Sequence, residues 1–437
     1  MVPQVMLRTG DRAREHGGST ACGSSPSARS GEPSLKALQL ALHKTTEVLA
    51  NELERPTALA PEWSPTEWSV ARAVAAIHGV SPLLASALRW RGPADWRRFL
   101  AQQKAHTATR FCRIQQLLQL IDGGARREGI ALVALKGAAL HANGVYAAGE
   151  RPMADVDLLV REAESQRASQ LLIELGFHLI LREQRGTTFQ ETAAATPAAL
   201  GEHSDNGIQI DLHHRIDEQL PLRAVDISEI VFPMQPHPGL NTYASKAALL
   251  IHLLLHAAGA LSGRALRLLQ LHDIARLARS VTDAEWEQVF HEAERTVDAG
   301  ERSLWWAFPP LQLAARYCGG VPDRVLARTA SHCHWLLKRA YKHKTLSSAS
   351  LSYLWISAFP GIAWARSPRE MLEYAAMRIV PSADTVQLRT TLATVQPRLS
   401  GGSWADLSQS RRVLRWMTSR QARHETLQPV SAALRAP

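Results

Sequence analysis

The chain has 437 residues, of which 46% are hydrophobic and 21% are charged, so it is long enough to bury a sizeable core and its composition is that of a globular protein. Lys and Arg number 50 against 40 Asp and Glu, and the net charge of +10 suits an anionic substrate, an acidic partner or a membrane surface without choosing among them. No apolar run reaches membrane-spanning length and no secretory signal is recognisable, so we expect a cytoplasmic protein without a transmembrane segment. The cysteines lack paired or C-x-x-C spacing, so we expect no disulfide framework; they are Cys22, Cys112, Cys318 and Cys333.

The first third of the chain divides into a polar leader and a helical region. Residues 1–33 are rich in Gly, Ser, Arg and Pro and are predicted to be a disordered leader. Residues 34–127 carry apolar side chains at helical spacing and are predicted to form an N-terminal helical subdomain. Its last helix is expected to end near Gly123 and Gly124, because glycine commonly closes helices.

Residues 128–240 mix strand and helix patterns and form the predicted central core. We predict strands at 130–135, 155–160, 177–181, 187–191 and 208–213. A helix opened by Gly137 follows the first strand, and a second helix over 162–175 is closed by Gly176. The small-residue stretch 193–201 is predicted to be a flexible flap.

Asp155 and Asp157 are the first candidate functional residues. They are two positions apart in a predicted strand, so both carboxylates project from one face while Val156, Leu158 and Val160 project from the other. Two neighbouring carboxylates repel each other unless a cation lies between them. Carboxylates on a rigid strand suit Mg²⁺, which usually takes one or two of them together with substrate phosphates.

Asp211 extends this pattern to a second strand. In residues 208–212 the apolar Ile208, Ile210 and Leu212 alternate with polar residues, so Asp211 and His213 share the polar face. A third carboxylate would complete a metal site able to clamp the attacking and leaving oxygens of a phosphoryl or nucleotidyl transfer.

The remainder of the chain is predicted to be largely helical. Residues 241–345 form a predicted C-terminal helical domain, with a turn near Gly263 and a capping box at residues 282–285. Residues 346–437 are predicted to be a helical extension with a basic tail. The tail is compatible with RNA or anionic lipid, although no nucleic-acid motif supports such a partner.

Three histidines of the C-terminal helical domain are further candidate site residues. His252 and His256 are four apart on a predicted helix, and His272 lies on the next one. They lack a metal-specific spacing such as H-E-x-x-H, so packing at an interface is favoured over a zinc site. If they face the cleft, they are expected to bind a base or an acceptor.

The ordered motifs Leu135-Lys136-Gly137, Asp155-Val156-Asp157-Leu158-Leu159-Val160 and Ile210-Asp211-Leu212-His213 together resemble the uncharacterised bacterial nucleotidyltransferase family of the polymerase-β-like superfamily. The resemblance covers roughly residues 60–300. One departure is Ala138, because the wider superfamily usually has Gly-Ser where this chain has Gly137-Ala138. The hydroxyl that would touch a phosphate is therefore missing.

The resemblance implies an α+β fold, with a small mixed sheet as the nucleotidyltransferase core between N-terminal and C-terminal helical regions. It implies that Asp155, Asp157 and Asp211 are catalytic and hold Mg²⁺ or Mn²⁺. Nucleotide binding is expected of Lys136, Gly137, Ala138, Arg151 and His213. Arg151 is expected either to neutralise a phosphate or to pair with Asp155.

The resemblance further implies transfer of an NMP group from an NTP to an acceptor hydroxyl, with release of pyrophosphate. The partners are then an NTP and an acceptor that the residues do not identify. Two alternatives stay open: a catalytically idle nucleotide-binding scaffold in a biosynthetic pathway, and kinase-like phosphoryl transfer at the same site. The products separate them, because nucleotidyl transfer releases pyrophosphate and a kinase leaves ADP.

Overall fold

A computed structural model describes residues 33–192, 200–298, 304–381 and 407–436. The predicted leader lies almost wholly outside these residues, as does most of the predicted flap at 193–201. The described residues from Leu35 onwards belong to one compact unit.

The N-terminal region is helical, as predicted. Ser64 and Glu67 form a capping box at the start of the second helix, with Pro65 in its first position. The predicted helix end at Gly123 and Gly124 is wrong, because Gly124 serves packing: a Cβ there would lie 2.4 Å from the side chain of Leu171. The helix runs on and ends at Gly129 in the left-handed conformation. The four helices are α1 (Leu35–Glu54), α2 (Pro65–Ile77), α3 (Ser81–Ala87) and α4 (Ala94–Glu128).

A six-stranded mixed sheet follows, in the strand order β3-β4-β5-β2-β1-β8. Strands β1 and β2 are antiparallel, whereas β2 and β5 are parallel neighbours. Strands β6 and β7 form a separate hairpin. The elements are β1 (Ala131–Ala134), α5 (Lys136–Ala142), β2 (Asp155–Val160), α6 (Ser165–Glu174), β3 (Phe177–Glu183), β4 (Gly186–Glu191), β5 (Gln209–His213), β6 (Asp217–Leu220), β7 (Arg223–Asp226), α7 (Ser228–Val231) and β8 (Gly239–Asn241).

The five predicted strands are confirmed, and the alternation within them explains how the sheet packs. The apolar side chains of β2 and β5 pack on one face of the sheet against α4 and α6. The residues that form this cluster include Ile114, Leu117, Ile121, Val156, Leu158, Leu171, Leu172, Ile210 and Leu212. The polar face of the same two strands is therefore left for Asp155, Asp157 and Asp211.

The C-terminal half is helical. Helix α8 is apolar nearly all round and mostly buried, which is typical of a core helix. The predicted capping box opens α10, where Thr282 and Glu285 exchange hydrogen bonds. These helices are α8 (Lys246–Ser262), α9 (Leu268–Ala278), α10 (Asp283–Ala293), α11 (Phe308–Cys318), α12 (Asp323–His332), α13 (Trp335–Tyr341), α14 (Leu346–Ala349), α15 (Pro368–Ile379), α16 (Gln409–Thr418) and α17 (His424–Arg435).

The two ends of the described chain pack together. Helix α17 lies against α2, and α1 contacts both α11 and α14. A buried hydrogen bond of 2.6 Å joins the hydroxyls of Thr46 and Ser352. The architecture is therefore the expected one, a mixed sheet flanked by N-terminal and C-terminal helices.

Among the described residues, no single helix is both long and apolar enough to cross a membrane. The pair α2 and α3 meets that test of length and composition only when joined across a bend of 113°.

Candidate active site

Asp157 and Asp211 lie directly opposite each other on the parallel strands β2 and β5. The same register pairs Asp155 with Gln209, so Asp155 is on the same face, two positions earlier. The three carboxylates predicted from the sequence therefore share one surface of the sheet. The apolar residues between them are buried on the other face, which fixes this orientation.

Lys136 and His213 both contact the central carboxylate. Lys136 Nζ lies 3.2 Å from Oδ1 of Asp157, and Nε2 of His213 lies 3.0 Å from the same oxygen. Burial alone would raise the pKa of Asp157, but the charge of Lys136 and the hydrogen bond with His213 outweigh it and hold this pKa far below its ordinary value. Asp157 is therefore ionised at neutral pH.

Asp155 and Asp211 are not neutralised in this way. No ion pair joins either carboxylate to a cation in the described part of the chain, and Asp211 accepts one hydrogen bond of 3.3 Å from Gln209. Asp155 is exposed at the mouth of the site, yet the loss of water around its carboxylate and then the charge of Asp157 raise its pKa. A cation placed between these carboxylates would relieve that repulsion.

The chemistry of this donor set fits a hard divalent cation, since carboxylate oxygens are the ligands of Mg²⁺ and Mn²⁺. As the side chains stand, no group of three or more His, Cys, Asp or Glu residues in the described ranges is arranged to hold a metal ion. Oδ1 of Asp157 is already taken by Lys136 and His213. A metal ion held through Oδ1 would displace these two contacts, whereas one held through Oδ2 of Asp157 would leave them in place.

A relay of hydrogen bonds fixes the backbone that carries Lys136. Lys136 has a φ of 43°, which is unfavourable for a residue with a Cβ. Its N–H donates to the hydroxyl of Tyr243 at 3.2 Å, and that hydroxyl lies 2.8 Å from Nδ1 of His252. Because Nε2 of His252 donates to the carboxylate of Glu218, Nδ1 of the same ring accepts the proton of the Tyr243 hydroxyl. The left-handed backbone is thus held by a buried polar network.

The relay ends at Glu218 on β6. His252 is buried, which lowers its pKa, so it is neutral and carries its proton on Nε2. Nε2 of His252 and Nδ1 of His256 lie 3.0 and 3.3 Å from the same Glu218 oxygen. Burial acts to raise the pKa of Glu218, but both histidines outweigh it and lower the pKa well below its ordinary value.

A cleft of about 680 Å³ joins these groups. The carboxylates, Lys136 and His213 line one side, while His256 and Glu218 line another. The cleft is also lined from the C-terminal extension by Pro360, Tyr374, Met377 and Arg378. The size suits a nucleotide-sized ligand.

Arg151 and Gly137 belong to a second, interior centre. The Arg151 guanidinium makes two hydrogen bonds of 2.9 and 2.8 Å to the buried carboxylate of Asp273, so the alternative pairing with Asp155 is not observed. A Cβ on Gly137 would lie 2.3 Å from Arg151 Nη1, so this glycine makes room for the guanidinium. Gly137, Ala138 and Arg151 do not line the cleft within the described ranges.

His272 faces the interior centre as well. Its Nδ1 lies 2.9 Å from the hydroxyl of Tyr146, which in turn donates to Asp273 at 2.8 Å. Burial and then the charge of Arg276 lower the pKa of His272 to about 4. Of the three histidines weighed from the sequence, His252 and His256 line the cleft and His272 does not.

Glu218, Tyr243 and the C-terminal residues at the cleft were not found from the sequence. Residues 217–220 lack apolar alternation, so nothing locally predicts β6. A usable signal was the pair His252 and His256 on an otherwise apolar helix, since buried imidazoles need polar partners.

Comparison with protein families identifies the class. A family model described as "Uncharacterised nucleotidyltransferase" matches residues 64–297. This match spans more than half of the chain, and the chain therefore belongs to this family of uncharacterised nucleotidyltransferases. Neither a search of curated proteins nor a search of solved structures found a match.

Proposed function

We propose that the chain is a metal-dependent nucleotidyltransferase that moves an NMP group from an NTP to an acceptor hydroxyl. The family match supports nucleotidyl transfer in general. The observation that carries the finer proposal is the in-register pair Asp157 and Asp211 beside Asp155, facing a nucleotide-sized cleft. The strand pattern and the mixed sheet also support the proposal that the family lies within the polymerase-β-like superfamily.

In the proposed reaction the acceptor oxygen bonds to the α-phosphorus while the bond from that phosphorus to the bridging oxygen of the β-phosphate breaks. Pyrophosphate leaves, and the acceptor proton passes to a base. Asp211 is proposed to help remove that proton, because its carboxylate has no cationic partner in the described residues.

Asp155, Asp157 and Asp211 are the proposed ligands of Mg²⁺ or Mn²⁺, which when bound would neutralise phosphate charge and stabilise the charge that develops on the leaving oxygen. Lys136 supplies a positive charge next to Asp157 and is proposed to meet a phosphate as a point charge. His213 is proposed to hold Asp157 in place through its 3.0 Å contact. Gly137 and Ala138 do not line the cleft in the described ranges, so no phosphate contact is proposed for them.

A nucleotide-binding scaffold without turnover is the second candidate. One observation favours it: Asp157 is already paired with Lys136 and His213. If these two side chains take the place of a metal ion at Asp157, the protein keeps the cleft and lacks the chemistry.

Calorimetric titration of each NTP, with and without Mg²⁺ or Mn²⁺, tests the proposal. Wild type should bind an NTP only with metal, and the double variant Asp155→Ala/Asp157→Ala should not bind. An acceptor screen scored on products follows: pyrophosphate supports nucleotidyl transfer, ADP indicates a kinase, and tight binding without any product supports the scaffold. If no NTP binds with either metal, the nucleotidyltransferase, the kinase and the scaffold interpretations are all overturned.

A further inference from the structure

The C-terminal extension forms one wall of the cleft. This C-terminal wall consists of Pro360, Tyr374, Met377 and Arg378. All four residues lie beyond 64–297, the part of the chain that the family model matches. The wall therefore lies outside the matched core, and its chemistry bears on what this chain binds.

The C-terminal wall is firmly anchored. The buried Tyr374 accepts a hydrogen bond of 2.9 Å from the N–H of Gly361. A Cβ on Gly361 would lie 3.0 Å from that hydroxyl and 3.1 Å from Pro221, which follows β6. The close approach at this glycine joins α15 to the hairpin that carries Glu218.

Arg378 is held in a defined position at the end of α15. Its Nε donates to the carbonyl oxygen of Ala358 at 3.0 Å, and its guanidinium lies 5.3 Å from the ring centre of Trp416 on α16. The carbonyl oxygen of Arg378 accepts from Gln409 at 2.9 Å. An arginine fixed in this way loses little further entropy when it binds a ligand.

The charges that line the cleft are paired unequally. Lys136 pairs with Asp157 at 3.2 Å. Arg185 lies 3.3 Å from Glu183, and Arg215 lies 3.0 Å from Asp217. Of the Lys and Arg side chains that line the cleft in the described ranges, Arg378 alone has no carboxylate partner.

The unpaired charges of the cleft therefore have opposite signs on different walls. Asp155 and Asp211 carry negative charge on the sheet, and Arg378 carries positive charge on the C-terminal wall. A simple carboxylate ligand would be attracted by Arg378 but repelled by the aspartates. A polyphosphate that carries a divalent cation complements both walls, since its cation binds the carboxylates and its free oxygens bind the guanidinium.

We infer that Arg378 binds the polyphosphate of the nucleotide, so that the C-terminal extension completes the NTP site. This inference rests on the proposed function and adds a binding residue outside the family-matched region. Trp416 is a positioning residue, because it acts by holding the guanidinium. The fork of Arg378 suits two phosphate oxygens, which an ammonium at the same place would not match.

Calorimetry on the full chain tests the inference, with MgATP and magnesium tripolyphosphate as probes. Arg378→Gln should weaken binding of both probes roughly tenfold, the loss of about one charge-assisted hydrogen bond. Arg378→Lys should lie between wild type and Arg378→Gln. The matched control is Arg369→Gln on the same helix, whose side chain is 88% exposed, pairs with Glu373 and does not line the cleft. It should bind as wild type does.

The outcomes separate this inference from the proposal on which it rests. Wild type that binds MgATP, with unchanged affinity in Arg378→Gln, overturns the role of Arg378 and leaves the proposed function standing. If wild type binds neither probe, both the role of Arg378 and the proposed function are overturned. Thermal unfolding of each variant shows whether it is folded. If Arg378→Gln does not fold, Trp416→Leu replaces it and should weaken both probes several-fold through loss of positioning, with unchanged affinity overturning the inference.

Discussion

Lys136 and Gly137 are neighbours in the chain, yet they belong to two ion-paired centres of opposite character. Gly137 makes room for Arg151, which pairs with the buried carboxylate of Asp273. The Arg151 and Asp273 side chains are 11% and 2% exposed, and Tyr146 also donates to Asp273. Lys136 belongs to the cleft centre. There both contacts to Asp157 fall on one oxygen, and neither Asp155 nor Asp211 forms an ion pair with a Lys or Arg of the described ranges.

The difference between the two centres indicates that the interior centre stabilises the fold and that the cleft centre binds a ligand. A buried pair whose hydrogen bonds are all made has nothing left to offer a ligand, whereas removal of one partner is costly. At the cleft centre, called the open centre below, neighbouring carboxylates repel each other and lower the stability of the fold. A bound cation would relieve that repulsion. The two centres should therefore respond differently to substitution, with the largest loss of stability at the interior centre.

Arg151→Leu should destabilise the fold by about 3–5 kcal/mol, because it leaves the carboxylate of Asp273 buried without its cation. Urea unfolding monitored by circular dichroism measures the loss. The exposed pair partner Arg369 provides the control, and Arg369→Gln should change stability by no more than about 0.5 kcal/mol. Similar values for the two variants would mean that the interior centre is not a stabilising one.

Gly137→Ala should destabilise by about 1–3 kcal/mol, although alanine favours helices. The new methyl group would meet Arg151 Nη1 at 2.3 Å and Met153 Cγ at 3.1 Å, and the guanidinium is held by its bonds to Asp273. Gly123→Ala is the matched control, since a Cβ there meets nothing within 4 Å. It should stabilise α4 by up to about 1 kcal/mol. A stabilising Gly137→Ala would separate Gly137 from the interior centre.

Stability should fall as the pH falls from about 6.5 towards 4, in part through His272. The pKa of His272 is lowered to about 4 in the folded chain, so only the unfolded chain takes up a proton in that window. The expected slope from this residue is at most about 1.4 kcal/mol per pH unit, and it is absent above the unfolded pKa. His272→Asn should reduce the slope measured by urea unfolding between pH 7 and 5. Equal slopes in the variant and wild type would contradict this account.

Asp155→Asn should leave stability unchanged or raise it slightly. The pKa of Asp155 is raised in the folded chain, so its ionised form is less favourable there than in the unfolded chain, and the neutral amide removes the repulsion by Asp157. Thermal unfolding provides the measurement. A clear loss of stability would show that Asp155 is a structural residue, like Asp273, and would remove it from the candidate site.

Local patterns predicted strands β1 to β5 and the placement of the carboxylates. Alternation in β2 and β5 was enough to predict that Asp155, Asp157 and Asp211 face one way, because a strand has only two faces. The capping box at Thr282 was recognisable because its two residues lie within one helical turn.

The remaining features depend on contacts between distant parts of the chain. Asp273 lies 122 residues after Arg151, and no local pattern connects them. Gly124 looks like a helix end from the sequence but is a packing contact with Leu171. The C-terminal wall with Arg378 is brought to the cleft by tertiary packing alone, which a one-dimensional pattern does not record.

The most direct test of the open centre is Mn²⁺ binding followed by electron paramagnetic resonance, in the presence of saturating ATP. Wild type, Asp155→Asn and Arg369→Gln should all be folded. The account predicts a saturable Mn²⁺ site in wild type and in Arg369→Gln that is lost in Asp155→Asn. Equal Mn²⁺ binding in all three proteins, or none in wild type, would contradict the claim that the carboxylates of the cleft hold a divalent cation.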